Sequence, residues 1–325
     1  MSDLLEAAPK GLYCPAADLY IDPTRKVERA VITHGHADHA RRGHQSVLTS
    51  ASGAAIVRER IGSKPKLQTL PFGEKLRIGD AVISLHPAGH LLGSAQVRIE
   101  VNGKVAVITG DYKRGPDPTC EAFEPVPCHL LVTETTFGLP VYRWPDPRDL
   151  AADIHRWWAN NQADGINSVL LGYSLGKAQR LLAMLDSGQG PLYVHGAIVP
   201  FLSYYRNAGI ALPYTHTFKP GPFIAEAGKA MLIVSPAAFN APLRQKLGPV
   251  RVGFASGWTL LPKRRPHSSY DAGFPVSDHV DWPELCQTVA DTGCEEIWTM
   301  HGYTAEVSRY FAEKGYRTRD LERTA

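Results

Sequence analysis

The sequence is poor in the features that announce secretion, membranes or cysteine chemistry. It has five cysteines in 325 residues (Cys14, Cys120, Cys128, Cys286 and Cys294), an odd number with no C-x-x-C pair. That argues against a disulfide framework and against a cysteine zinc site. No stretch approaches the ~18 apolar residues that a membrane span needs. The opening "MSDLLEAAPKGLY" has neither the basic flank nor the apolar centre of a signal peptide. A cytoplasmic protein with no membrane contact is expected. Repeats, low-complexity stretches and long charge runs are missing too. The net charge is only +3, which permits an anionic partner without demanding one. A nucleotide-binding P-loop is also absent. "GYSLGKAQRLL" superficially resembles one, but Gly172 and Gly176 are separated by three residues instead of four, and Ala178 stands where Ser or Thr would bind magnesium. A helix N-terminus near phosphate, with Ser174 and Lys177 at hand, remains open.

What is there is ordinary globular material, 44% hydrophobic and 21% charged. Its length suggests two domains, or one domain with an insertion. The first part reads as short strands and turns. "AQVRIEVNGKVAVITGD" is a hairpin turning at Asn102-Gly103. "DPRDLAADIHRWWANNQADG" opens with Asp146 as N-cap and Pro147 at the first helical position. From there strands and helices alternate to about residue 275, the rhythm of a small parallel-sheet domain. Helix, strand and helix close the sequence.

The chemistry concentrates in "VITHGHADHA". Three histidines and an aspartate fall within six positions after an apolar run. Imidazole nitrogen and carboxylate oxygen are good zinc ligands. His34 and His36, two apart on a strand end or loop, can chelate one ion together. Asp38 and His39, on the next turn, can hold a second. His44, His86, His129, His155, His195 and His216 read as structural.

The H-x-H-x-D-H pattern resembles that of the metallo-β-lactamase superfamily, which implies an αββα sandwich. Its other landmarks occur in order. Asp22 in "LYIDP" would support the cluster from behind, His90 in "HPAGHLLGS" would be a ligand, and Asp111 in "VITGD" would bridge two metals. The second half resembles the β-CASP nucleases, which insert a smaller α/β domain into that sandwich. "VTETTF" corresponds to their acidic motif and gives Glu134. "FPVSDHVDW" gives His279, "TMHGY" gives His301, and "GYSLGKAQRLL" resembles the strand-to-helix turn that opens their inserted domain. Overall length and the stretch "GWTLLPKRRPHSSYDAGFPVSDHVDW" are similar to the bacterial DNA-ligase-associated exonucleases. The implied domains are 1–138 with 277–325, and an inserted 139–276.

The resemblance implies a di-zinc DNA nuclease, an exonuclease acting in DNA repair, with manganese able to replace zinc in vitro. His34, His36 and His90 would hold one ion and Asp38, His39 and His301 the other. Asp111 and a hydroxide would bridge them, and hydrolysis would leave 5′-phosphate and 3′-hydroxyl ends. His279 would be the general acid, with Glu134 holding its imidazole. Lys263, Arg264 and Arg265, with Lys113 and Arg114, and less so Arg41 and Arg42, would meet phosphates. Trp258, Tyr270 and Phe274 read as core before base-stacking residues. Family analogy implies a DNA ligase and a helicase as partners. His301 follows the pattern of the RNA-processing members, so an RNA-processing nuclease stands as the alternative, and a non-catalytic nucleic-acid-binding scaffold ranks below it.

Overall fold

The computed structural model describes residues 4–261 and 270–322. The chain forms two compact units, Met1–Arg143 with His279–Ala325, and Trp144–Asp278. The expected boundaries lay a few residues earlier, at 138 and 276. The difference arises because residues 139–143 pack with the first unit. Tyr142 is fully buried, its ring lies 6.0 Å from that of Tyr303, and its carbonyl accepts the Trp282 N–H.

In the first unit, six strands follow one another across a sheet in chain order: Glu6–Ala8, Gly11–Cys14, Leu19–Ile21, Arg29–Val31, Ser46–Ser50 and Lys66–Leu70. A seven-stranded sheet runs Arg317–Asp320, Glu296–Gly302, Leu130–Thr135, Lys104–Ile108, Ala95–Val101, Ala81–Pro87 and Lys75–Ile78. Period-two alternation decides what each face meets. Leu130, Val132, Ala106 and Ile108 join Leu19, Ile21, Val31 and Leu48 in one core between the sheets. Their neighbours Leu131 and Val107 face the other way, onto Leu285 and Val289 of helix Trp282–Thr292 and Val307 and Phe311 of helix Thr304–Glu313. On the far side, helix Ala54–Ile61 packs Val57 and Ile61 over Ala30, Ile32 and Val47. The layers are therefore helix, sheet, sheet, helix. The hairpin turns where expected, with Asn102 at φ 50° and Gly103 at φ 75°, both in the left-handed region that a two-residue turn of this hand requires.

The second unit has a wholly parallel sheet in the order His216–Thr217, Leu192–Val194, Met231–Val234, Asn167–Leu171, Val250–Ala255 and Ala272–Phe274. Both faces are covered, as parallel sheets require. Leu170 and Ile233 meet Leu150, Ile154 and Trp158 of helix Pro147–Ala163 and Leu181 and Leu182 of helix Lys177–Met184. Val169, Leu232 and Val234 meet Phe223 and Leu243. Asp146 caps its helix as expected, accepting the Arg148 N–H at 2.8 Å. No helix among the described residues is long and apolar enough to cross a membrane.

Candidate metal centre

Strand Arg29–Val31 ends just before the histidine cluster, and the chain then makes a single helical turn, with the Ala40 N–H bonded to the His36 carbonyl at 2.8 Å. Asp22, at φ 42° after strand Leu19–Ile21, reaches into this turn. Its carboxylate accepts the Thr33 N–H at 2.8 Å, the Thr33 hydroxyl at 2.6 Å and His39 Nδ1 at 2.7 Å. An ionised carboxylate only accepts, so each of these partners donates. Two tautomers follow. His39 carries a proton on Nδ1, which leaves Nε2 as the nitrogen that faces Asp111. The Thr33 proton is already given to Asp22, so the 3.1 Å contact between Thr33 Oγ1 and His34 Nδ1 is a bond donated by the imidazole. His34 then directs the lone pair of Nε2 inward. Thr33 carried no signal of its own in the sequence beyond its place next to His34.

His90 sits in the loop after strand Ala81–Pro87, where Ser94 Oγ accepts the N–H groups of His90 and Leu91 at 3.0 and 3.2 Å. His36 Nδ1 lies 3.2 Å from His34 Nε2 and 3.0 Å from His90 Nε2. Asp111 Oδ2 is 3.6 Å from His34 Nε2, 3.8 Å from His90 Nε2 and 3.5 Å from His39 Nε2. The ligand atoms of His34, His36, His90 and Asp111 all lie within 4.8 Å of one another. Ligands bound at 2.0–2.1 Å around one tetrahedral ion sit ~3.3 Å apart, so the spacing of this donor set fits a divalent ion.

The second expected set is more open. His39 Nε2 lies 3.8 Å from Asp38 Oδ2, whose side chain is 73% exposed. Strand Glu296–Gly302 pairs Glu134 with Met300 and then Thr135 with Gly302, so His301 is the extra residue of a bulge. Bulges redirect a side chain. His301 is exposed at φ 57°, its ring 5.9 Å from that of His39. Asp38, His39 and His301 join neither of the two tight ligand groups among the described residues. The second of those groups is Asp111, Glu134 and His279.

Glu134 is 1% exposed at the end of strand Leu130–Thr135. It accepts the Tyr112 N–H at 2.9 Å and the Thr136 hydroxyl at 2.6 Å, and both its oxygens lie 2.9 Å from His279 Nδ1. His279 Nδ1 is also 4.0 Å from Asp111 Oδ2. Burial is the largest influence on the titration of His34, His39 and Asp111. It holds His34 well below the usual imidazole range, helped by the neighbouring His39. Burial opposes charge on His39 and Asp111 too. Asp111 and Asp22 nevertheless raise His39 well above its ordinary value, and His39 with His279 and His34 holds Asp111 well below the carboxylate range.

The expected phosphate contacts fare differently. Lys177 is buried, with Nζ 2.9 Å from Asp278 Oδ2 and 2.9 Å from the Val276 carbonyl. The amide of Gly176 just ahead of that helix is bonded to Gln179 Oε1, and the Ser174 carbonyl accepts from the same side chain. The helix start is thus closed by its own residues, and Lys177 serves the interior in place of a phosphate. Lys113 is also buried, beside Glu284. Arg114 is held on helix Trp282–Thr292 by Asp291 at 2.6 Å and Thr288 at 3.2 Å. Ser174 is half-buried. Lys263, Arg264 and Arg265 lie outside the described residues.

No protein-family model matches the chain. A "Probable DNA ligase" of Opitutus terrae is 32% identical over 307 residues, 94% of this chain and 30% of that protein. "Endoribonuclease YSH1" of Candida glabrata is 30% identical over 39% of this chain and 16% of its own length. "Cleavage and polyadenylation specificity factor 73" of Drosophila melanogaster is 30% identical over 38% of this chain and 18% of its own. The chain therefore spans less than a third of each of these relatives. Among solved structures, a protein of unknown function from Enterococcus faecalis superposes with a TM-score of 0.61 at 14% identity, over 90% of this chain and 78% of that one.

Proposed function

We propose that this chain, whose fold is the metallo-β-lactamase sandwich with an inserted β-CASP domain, is a metal-dependent nuclease. The observation that carries the reading is the His279–Glu134 pair, 2.9 Å apart and beside the Asp111 oxygen that the ligand histidines share. A small-molecule hydrolase of this fold would explain neither that pair nor the inserted domain. His34, His36 and His90 would hold one divalent ion, Asp38, His39 and His301 a second, and Asp111 would serve both. Zinc suits the donor set and manganese accepts the same ligand types. Such ions supply a Lewis acid for the phosphate and a nucleophile near neutral pH. The chain's own residues do the rest. Asp22 fixes the ring of His39. Glu134, itself held by Tyr112 and Thr136, keeps the proton of His279 on Nδ1, so the other ring nitrogen is the one that passes a proton to the departing sugar oxygen. The products would carry 5′-phosphate and 3′-hydroxyl ends.

DNA is the substrate we infer, with exonucleolytic action in repair alongside a ligase and a helicase. The similarity to a protein named as a probable DNA ligase, extending over 94% of the chain, supports it. An RNA-processing role is the second reading, favoured by His301 and by the endoribonuclease likeness. Metal-loaded protein, incubated with 5′- and 3′-end-labelled DNA and RNA of one sequence, separates them. Stepwise shortening of DNA, abolished by Asp38→Asn, is expected. Cleavage of RNA alone would select the second reading, and bound metal with neither strand cut would leave a binding scaffold. Glu134→Ala and His279→Ala are each expected to lower kcat by about 10²–10⁴-fold. Combining them should add nothing; if the losses multiply, the two residues do not act as a pair.

A further inference from the structure

Helix Trp282–Thr292 starts three positions after His279, and Asp281 caps it by accepting the Glu284 N–H at 3.0 Å. Its Leu285 and Val289 pack in one core with Leu131 and Val107 of the seven-stranded sheet. Apolar burial is non-directional, so it holds the helix down without fixing its register. A second stripe supplies direction. Glu284, Thr288 and Asp291 recur at i, i+4 and i+7 and share one face of the helix. All three meet Arg114, which stands three residues after Asp111. The Arg114 N–H lies 3.3 Å from Glu284 Oε2, Nη1 donates to the Thr288 hydroxyl at 3.2 Å, and Nη2 donates to the Asp291 carboxylate at 2.6 Å. The guanidinium also lies 5.1 Å from the centre of the Phe123 ring. Lys113 adds to the junction. A Cβ on Gly115 would sit 2.6 Å from Lys113 Nζ and 3.2 Å from Glu284 Oε1, so glycine leaves room for the two charges to share that space. The Arg114 and Asp291 side chains are 19% and 29% exposed. Ion pairs open to water add little stability, so a fixed register is the larger effect of this set.

Glu284 joins two segments of the centre. Its N–H is taken by Asp281, two residues after His279. Its carboxylate takes the Arg114 N–H, next to the Tyr112–Lys113 pair that follows Asp111, and Tyr112 in turn donates its N–H to Glu134 at 2.9 Å. We propose that Arg114, Glu284, Thr288 and Asp291 form a clasp that positions the imidazole of His279 against Glu134 and Asp111, making them positioning residues of the nuclease reaction. The inference rests on the nuclease reading above. Every residue involved belongs to the first unit. With the helix register held, the chain leaves the Asp281 cap from a fixed point, and His279 reaches Glu134 without a search. An error of about 1 Å in such a group costs about 10²-fold in rate. The clasp also explains why an arginine that the sequence offered to phosphate is turned onto a helix.

The test measures Arg114→Gln and Asp291→Asn in the full, metal-loaded chain. Each should lower kcat by about 10- to 100-fold with KM changed less than about two-fold. Bound metal should be unchanged, and adding His279→Ala should cause no further loss than His279→Ala alone. A phosphate contact at Arg114 gives the reverse split. Arg114→Gln would then raise KM with kcat intact, and Asp291→Asn, which releases the guanidinium, would lower KM. In parallel, the imidazole ¹⁵N signals of His279, identified by their loss in His279→Ala, should shift in both variants. Those of His216, in the second unit with its ring 5.1 Å from that of Tyr193, should stay in place. If Arg114→Gln does not fold, Asp291→Asn gives both readouts by itself. The reverse split, multiplying losses, lost metal, or an unmoved His279 signal in a folded variant would overturn the clasp. If wild-type protein cuts neither DNA nor RNA, the nuclease reading falls, and the His279 signal still decides whether the clasp sets the ring.

Discussion

Asp22 illustrates how much of the histidine cluster depends on one carboxylate behind it. Its three accepted bonds fix the turn through Thr33, set the tautomer of His34 at one remove and orient His39 directly. Asp22→Asn replaces one acceptor oxygen with a donor, so one of the three partners must let go. Partners of this kind, one shell behind a metal, typically change affinity by about 10–100-fold. A loss of that size is expected in a metal competition titration, with the fold retained; unchanged affinity would remove Asp22 from the centre. His44 behaves in the opposite way. It is 3% exposed, and neither ring nitrogen has a hydrogen-bond partner among the described residues. Burial holds its pKa below the usual value against the pull of Asp22. The folded chain therefore resists a proton that the unfolded chain accepts near pH ~6.5. Stability from a neutral His44 is full above that pH and is lost as pH falls from there toward the depressed folded value. His44→Gln should lose less stability between pH 7.5 and 5.5 than the wild type does, measured by urea unfolding. Equal losses would show that another group carries the acid sensitivity.

At the level of elements, two glycines with nearly the same backbone angle should respond differently. Gly103, at φ 75°, has open space where a Cβ would go. Gly103→Ala is expected to cost only the left-handed strain of about 1–2 kcal/mol. Gly93, at φ 74° in the loop after His90, would place a Cβ 2.1 Å from the Gly53 nitrogen and 2.2 Å from its Cα. Gly93→Ala adds a backbone collision to the same strain and should destabilise several times as much; near-equal losses in denaturant would show that the loop yields. The contrast also marks what the sequence made legible. Asn102-Gly103, the Asp146 cap and the βαβ rhythm are local signals, and the structure has all three. The short edge strands Glu6–Ala8, His216–Thr217 and Arg317–Asp320 were not foreseen, because two to four residues carry too little periodicity to stand out. The cluster at His34–His39 stood out because four imidazole or carboxylate side chains are packed into six positions, and the structure groups His34 and His36 of it with His90 and Asp111. The inward turn of Lys177 was not, because its partner Asp278 lies 101 residues away and nothing local distinguishes a buried lysine from a solvated one. The bulge that leaves His301 exposed is likewise a property of the pairing with Glu134 and Thr135, and only the sheet reveals it.

On the scale of the whole molecule, every expected ligand belongs to one of the two units, drawn from both ends of the chain. His34, His39, His90 and Asp111 are nearly fully buried, and lone-pair-bearing atoms of the cluster face one another, His90 Nε2 lying 3.0 Å from His36 Nδ1 and 3.8 Å from Asp111 Oδ2. An ion that binds this arrangement and not the unfolded chain stabilises the unit by about 2.7 kcal/mol at a hundred times its dissociation constant. For a unit of this size that corresponds to roughly 5–10 °C in Tm. Removing metal with a chelator should lower the melting temperature by that amount, and adding zinc back should restore it in a concentration-dependent way. Hydrogen exchange locates the effect. Amides of Thr33–Ala40, His90–Ser94 and Asp111–Tyr112 should gain protection when metal is added. Those of helix Pro147–Ala163, whose unit holds none of the expected ligands, should change far less in their fast local opening. A uniform rise across both units would mean that metal acts on global unfolding alone. Protection confined to helix Pro147–Ala163 would place the ion somewhere other than the histidine cluster.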